Sequence, residues 1–157
     1  MITGQELEKG MSMLKIIWTA LAMSLIMYVF AIPFFLRETT IDFPSEAYSD
    51  LRLALYGVAL ATLVATWFVR KAILAAKPPS PLTKFRQHPA LQRYTTAMIV
   101  ALAMTEAIGL DGLILFLLGK NHTDLYLLTV LSAAGMTMYF PRKEEVIGLA
   151  EQMNRRG

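Results

Sequence analysis

The stretch from residue 94 to residue 119 constrains the fold most, because it is apolar enough to cross a bilayer yet contains Glu106 near its middle. A helix of about 20 apolar residues spans the hydrocarbon core. An ionised carboxylate at that depth is costly unless it is paired, protonated or directed at a polar cavity. Glu106 is therefore the first candidate functional residue of the chain.

Three further apolar runs indicate a membrane protein. The 157 residues are 55% hydrophobic and only 17% charged, whereas soluble domains are about 25% charged. We predict an all-α fold, an integral membrane bundle of four transmembrane helices that forms one domain over residues 1–157. After a polar N-terminal lead, the predicted helices lie at about 14–36, 51–75, 91–119 and 124–140.

The C-terminal tail carries a second kind of pattern. Four apolar residues fall on one face of a predicted helix at 143–155, namely Val146, Ile147, Ala150 and Met153. This pattern is typical of an amphipathic helix that lies on a membrane surface. A frayed, solvated tail is the alternative.

The distribution of Lys and Arg predicts the orientation. Two of these residues precede the first apolar run, six lie within 70–93 and four lie in the C-terminal tail, which makes 12 of the 15. Cytoplasmic segments are enriched in Lys and Arg. We therefore predict a multi-pass protein of the cell membrane with both termini in the cytoplasm. The net charge of +3 is explained by this topology, so we predict the lipid bilayer and no nucleic acid as partner.

Asp111 is the second carboxylate of the central stretch. An α-helix places it about 140° around the axis from Glu106 and about 7.5 Å along it. Both residues are candidates for binding a proton or an ion, but they do not form a paired-carboxylate site. The nearest cations in the sequence, Arg93 and Lys120, are each more than one turn away. Any partner of Glu106 must therefore come from another helix or another subunit.

Small residues recur on the second and third helices, at Ala54, Gly57, Ala61, Ala65, Ala103, Ala107, Gly109 and Gly112. Such residues let membrane helices approach closely. The alternative is that they reflect the ordinary composition of membrane helices. Hydroxyl groups such as those of Ser24 and Ser132 are candidates for bonds across helices, or back to their own helix.

Several kinds of site are not predicted. The chain has no cysteine, which excludes disulfides, thiolate nucleophiles and Cys-ligated metals. Its two histidines, His88 and His122, are predicted on opposite sides of the membrane. We therefore expect no metal site, no cofactor and no catalytic residues, and we predict that the chain is not an enzyme.

Residues around Glu106 carry a family resemblance. Arg86, Gln87 and Pro89 precede an apolar helix that contains Glu106-Ala107-Ile108. Over residues 53–119 this pattern resembles the proteolipid (subunit c) family of rotary ATP synthases. The resemblance implies that Glu106 takes up and releases a proton or sodium ion within a ring.

Two functions follow as hypotheses. The first is a small proteolipid-like membrane protein in which Glu106 binds a proton or cation within a homo-oligomer. The alternative is a non-enzymatic structural or assembly subunit of a larger membrane complex. In that case Glu106 is a neutral hydrogen-bond donor between helices.

Overall fold

A computed structural model describes residues 4–35, 44–76 and 88–156, in which all regular structure is helical. The helices are α1 (Gly4–Phe35), α2 (Ser45–Ala75), α3 (Pro89–Gly119), α4 (His122–Met138) and α5 (Lys143–Arg156). Three segments are long and apolar enough to cross a membrane, namely Gly4–Phe30, Glu46–Ala75 and Pro89–Gly119. The chain is therefore all-α, with three helices compatible with a membrane protein. Arg86 and Gln87, which contribute to the proteolipid resemblance, lie outside the described residues.

The third helix is the centre of the bundle, because α3 packs against each of the other four helices. Two hydrophobic cores form along it. The first lies at the end where α3 begins and includes Met11, Leu91, Tyr94 and Val146. The second lies towards the opposite end and includes Ala59, Ile108, Leu115 and Leu128. Helix α1 runs parallel to α3, whereas α2 and α4 run antiparallel to it.

Helix α1 begins at Gly4, well before the predicted start near residue 14. The N-terminal lead contains Leu7, Met11 and Leu14, which are spaced at four and three residues and therefore share one helical face. Met11 and Leu14 are buried, and Leu7 packs against the same core. This apolar stripe explains why the helix extends into a segment that is otherwise polar.

Local sequence signals set the starts of α3 and α4. His88 caps α3 with its Nδ1 atom, which accepts a hydrogen bond from the Ala90 N–H at 3.3 Å, and Pro89 occupies the first turn. Asn121 caps α4, since its Oδ1 accepts from the Thr123 N–H at 2.9 Å. Between these helices, Lys120 has a φ of 51°, and this left-handed residue ends α3.

The small residues noted in the sequence differ in burial. Gly109 and Gly112 are buried against α4, whereas Ala54, Gly57, Ala61, Ala103 and Ala107 are exposed and Ala65 is only partly covered. Most of these small residues thus do not bring helices together. Close approach occurs between α3 and α4, where Gly135 also packs, against Thr105.

Helix α5 packs on the bundle through one face. Val146 is fully buried in the first core, whereas Ile147 is exposed. Arg70 near the end of α2 forms an ion pair with Glu145, and the Arg142 N–H donates to the Tyr94 hydroxyl at 3.1 Å. Of the residues predicted to share the apolar face, Val146 is therefore covered by protein, whereas Ile147 is partly open to its surroundings.

Candidate functional site

Glu106 lies half-buried on α3, and its contacts come from α1. The Ser24 hydroxyl lies 2.6 Å from Glu106 Oε1, and the Tyr28 hydroxyl lies 3.2 Å from the same oxygen. None of the described Lys and Arg side chains forms an ion pair with it. The partner of Glu106 is thus a pair of hydroxyl groups from another helix of the same chain.

A glycine brings the two helices close enough for these contacts. A Cβ atom on Gly109 would lie 2.7 Å from Leu25 Cδ2, which is closer than carbon atoms approach in packed proteins. Leu25 is almost fully buried and follows Ser24 in the chain. Because Ser24 and Tyr28 are four residues apart, they lie on the same face of α1 and both reach Glu106.

The Ser24 hydroxyl has two oxygen neighbours at hydrogen-bond distance. One is Glu106 Oε1 at 2.6 Å and the other is the Leu21 carbonyl oxygen at 2.7 Å. A serine hydroxyl has a single proton to donate. The Ser24 hydroxyl therefore donates to one of these two oxygens at a time or shares its proton between them.

Asp111 does not join this site. It lies further along α3 and is half-buried, and the described residues include no hydrogen-bond or ion-pair partner for it. The structure thus keeps the two predicted carboxylates in separate environments. Glu106 belongs to an organised contact between α1 and α3, and Asp111 does not.

A second carboxylate site, which the sequence interpretation missed, lies near the other end of the bundle. Asp124 is completely buried in the first turn of α4, and its partners all come from α2. Tyr48 donates to Oδ2 at 2.8 Å, Tyr56 donates to Oδ1 at 2.9 Å, and Arg52 Nη2 lies 2.8 Å from Oδ1. A buried carboxylate with a cation and two phenols is fully compensated.

The end of α3 makes room for this cluster. A Cβ atom on Gly119 would lie 2.2 Å from a carbon of the Tyr48 ring, so that only glycine admits the ring at this position. The Arg52 guanidinium also lies 5.8 Å from the centre of the Tyr56 ring, within the range of a cation–π contact. Through these contacts, the first part of α2 packs against the turn between α3 and α4.

A signal for this cluster is present in the sequence. Tyr48, Arg52 and Tyr56 are spaced at four residues, so a helix presents all three on one face. The sequence interpretation named neither Arg52 nor Asp124 as a candidate site residue. The same spacing relates Ser24 to Tyr28, and Tyr28 was also missed.

No candidate metal site is found among the residues that the structure describes. They contain no group of three or more His, Cys, Asp or Glu side chains that could hold a metal ion. His88 precedes α3, and His122 follows its far end with its ring 4.9 Å from that of Phe116. The two histidines therefore lie too far apart to share a ligand.

The chain has no match in comparisons with protein-family models, with curated proteins and with solved structures.

Proposed function

We propose that the chain is a small multi-pass membrane protein in which Glu106 holds an exchangeable proton at the contact between α1 and α3. The observation that carries the proposal is the position of the Ser24 hydroxyl between Glu106 Oε1 and the Leu21 carbonyl. With a proton on Glu106, both contacts could be hydrogen bonds, because the carboxyl group would donate to Ser24 while Ser24 donates to Leu21. A neutral group is also the form that lipid surroundings tolerate. A proton carrier requires a carboxyl group that can be neutral at membrane depth.

A proton suits the described contacts better than a metal cation. Both hydroxyl groups approach the same oxygen of Glu106, and one proton completes that arrangement. Hard metal cations prefer several oxygen ligands. A sodium ion remains the second form of the proposal, and it is tested by competition below.

The proposal includes four membrane spans with both termini in the cytoplasm. Helix α4 has 17 residues, which is the lower limit of roughly 17–25 for a span. It packs antiparallel to α3 along its length, from the contact of Leu128 with Gly112 to that of Gly135 with Thr105. Its exposed side chains include Leu127, Val130 and Met138, which suit contact with lipid.

The experiment is chemical labelling of the folded protein with a hydrophobic carbodiimide, followed by peptide mass spectrometry. Such a reagent modifies protonated carboxyl groups in apolar surroundings. We expect modification of Glu106 that is lost at alkaline pH, and we expect Glu106→Gln to abolish it. Asp111→Asn is the matched control, because it removes the other carboxylate of α3 and should leave labelling of Glu106 unchanged.

Other outcomes decide between the two hypotheses. Suppression by sodium at constant pH identifies a cation site. Labelling of Glu106 that does not change with pH indicates a permanently neutral donor and favours the structural subunit. An absence of labelling in the folded protein contradicts exchange at Glu106.

Association with other copies is a separate part of the proposal. The partners of Glu106 come from its own chain, so the site does not require a second subunit. Native mass measurement of the purified protein tests the oligomer, and a monomer would contradict that part alone.

A further inference from the structure

Arg93 lies near the start of α3 and reaches across to the last turn of α2. Its Nη1 atom donates to the Leu74 carbonyl oxygen at 3.3 Å. The last carbonyl groups of a helix have no partner within the helix, and a guanidinium group that donates to one of them caps the helix. The second terminal nitrogen of this guanidinium, Nη2, is buried and has no hydrogen-bond partner.

A hydrogen-bond acceptor next to Arg93 Nη2 would stabilise this buried, unpaired nitrogen. Arginine remains charged at every physiological pH, and all of its nitrogens are donors. Burial of a charged donor without an acceptor is unfavourable. The apolar run of α3 begins immediately after Arg93, at Tyr94, so the guanidinium lies at the depth where lipid headgroups meet the protein.

The carboxylates at this end of the bundle have other partners. Glu145 pairs with Arg70, and Glu8 lies 3.8 Å from Lys143. Glu144 is exposed. The sequence of 77–87, which connects α2 to α3, contains three cations and no Asp or Glu. Among the described residues, no ion pair joins Arg93 to a carboxylate.

We propose that Arg93 Nη2 binds a phosphate oxygen, supplied by the headgroup of an anionic phospholipid or by free phosphate. Guanidinium groups are the preferred ligands of phosphate in proteins because their charge and donors match its oxygens. Basic pockets between membrane helices commonly bind anionic headgroups. Bonding of Nη1 to Leu74 holds the guanidinium in place. Because Nη2 is buried, a phosphate oxygen reaches it when neighbouring side chains move aside.

Lys71 provides a matched control for this site. It lies on the last turns of α2, as does Leu74, and it has the same charge as Arg93. Its Nζ atom lies 3.6 Å from the centre of the Trp67 ring, which places it on an aromatic face. Lys71→Gln therefore removes one positive charge from the same end of the bundle and leaves the proposed ligand in place.

The test measures thermal unfolding of the detergent-purified full chain with phosphatidylglycerol, with phosphatidylcholine or with inorganic phosphate. A ligand at about 100 times its Kd should raise Tm by roughly 5–10 °C. We expect this rise with phosphatidylglycerol and not with phosphatidylcholine. An equal rise with inorganic phosphate identifies free phosphate as the ligand.

Variants distinguish a specific site at Arg93 from a general attraction between the positively charged protein and an anion. Arg93→Gln should lose most of the rise and Lys71→Gln should keep it, whereas Arg93→Lys should retain part because a charged donor remains. Retention of bound phosphatidylglycerol in native mass spectra gives a second readout that does not depend on the variant's own Tm. An equal response of Arg93→Gln and Lys71→Gln would overturn the proposal, as would a response to neither anion.

Discussion

Ser24 is the residue of α1 that approaches the Glu106 carboxyl group most closely among the described contacts. Its hydroxyl touches both Glu106 Oε1 and the Leu21 carbonyl oxygen, and its one proton can serve only one of them. Under the proposed function, a proton on Glu106 would supply the second donor that this arrangement lacks.

We predict an energetic coupling between these two residues. In a double-mutant cycle of Ser24→Ala and Glu106→Gln, the free energies of unfolding should be non-additive by about 0.5–3 kcal/mol, as for groups in one hydrogen-bond network. Denaturant unfolding in detergent micelles measures each variant. Thr19→Ala replaces Ser24→Ala in the control cycle, since Thr19 bonds only to the Lys15 carbonyl of its own helix. Additive effects in the first cycle would contradict the contact.

Asp124 and Asp111 should respond differently to the same change. Asp124→Asn removes a buried carboxylate charge that accepts hydrogen bonds from Tyr48 and Tyr56, and loss of hydrogen bonds to a charged group costs about 1.5–3 kcal/mol. Asp111→Asn removes no hydrogen bond or ion pair within the described part of the chain, so its effect should stay within about 0.5 kcal/mol. Unfolding of the two variants side by side measures this difference. Equal stabilities would show that the Asp124 cluster contributes little.

The sequence predicts one of the two carboxylate sites and neither set of partners. Glu106 stands out because its depth in an apolar run makes it costly wherever it points. Its partner Ser24 was among the hydroxyl candidates, but which hydroxyl faces it depends on how α1 packs. Asp124 was missed because a carboxylate at a predicted helix start looks like an ordinary cap. Its burial arises only when α2 crosses the turn between α3 and α4.

At the scale of helices, α3 presents two faces with small residues and only one of them packs. Gly112 faces α4, where an added Cβ atom would lie 2.9 Å from Leu128 Cβ and 3.3 Å from the Leu125 carbonyl oxygen. Around Gly57 of α2, an added Cβ atom would meet nothing within 4 Å. Composition alone does not show which of Gly112 and Gly57 is packed, because both lie in apolar helices.

Substitution by alanine should therefore have opposite effects at the two positions. Gly112→Ala should lower the free energy of unfolding by about 1–3 kcal/mol, because backbone and Cβ atoms must move apart. Gly57→Ala should raise it by up to about 1 kcal/mol, because alanine is the better helix former. Thermal unfolding of both variants checks the signs. A stabilising Gly112→Ala would mean that α3 and α4 are not closely packed there.

The helix starts show which boundaries can be predicted from the local sequence. The starts of α3 and α4 follow from Pro89 and Asn121, which are ordinary helix-start residues, and they lie within two residues of the predicted positions. The start of α1 was missed because its apolar stripe has only three members among charged neighbours. Packing of Met11 and Leu14 against α3 and α5 supplies the stability that the local sequence lacks.

At the scale of the whole molecule, the proposed topology places the two ends of the chain on one side of the membrane. The basic end of the bundle carries the start of α3, the end of α2 and helix α5. The Asp124 cluster lies at the opposite end. Helix α4 runs antiparallel to α3, so the segment after it returns to the start of α3, where the Arg142 N–H contacts Tyr94.

Cysteine accessibility tests this topology without background labelling, because the chain contains no cysteine. Single substitutions at exposed positions, Gln5→Cys and Glu151→Cys, should react with a membrane-impermeant maleimide from the cytoplasmic side only. Glu46→Cys and Thr123→Cys should react from the opposite side only. Intact cells and inverted membrane vesicles provide the two directions. Reaction of Glu151→Cys and Thr123→Cys from the same side would contradict a fourth span.

The order of residues along the chain has a consequence for biosynthesis. Ser24 and Tyr28 precede Glu106, and Tyr48, Arg52 and Tyr56 all precede Asp124. Because chains are synthesised from the N-terminus, the donor groups of each site leave the ribosome before the acid that needs them. Each carboxyl group can thus meet its donors as its own helix emerges, and neither has to remain unpaired while the rest of the chain is made.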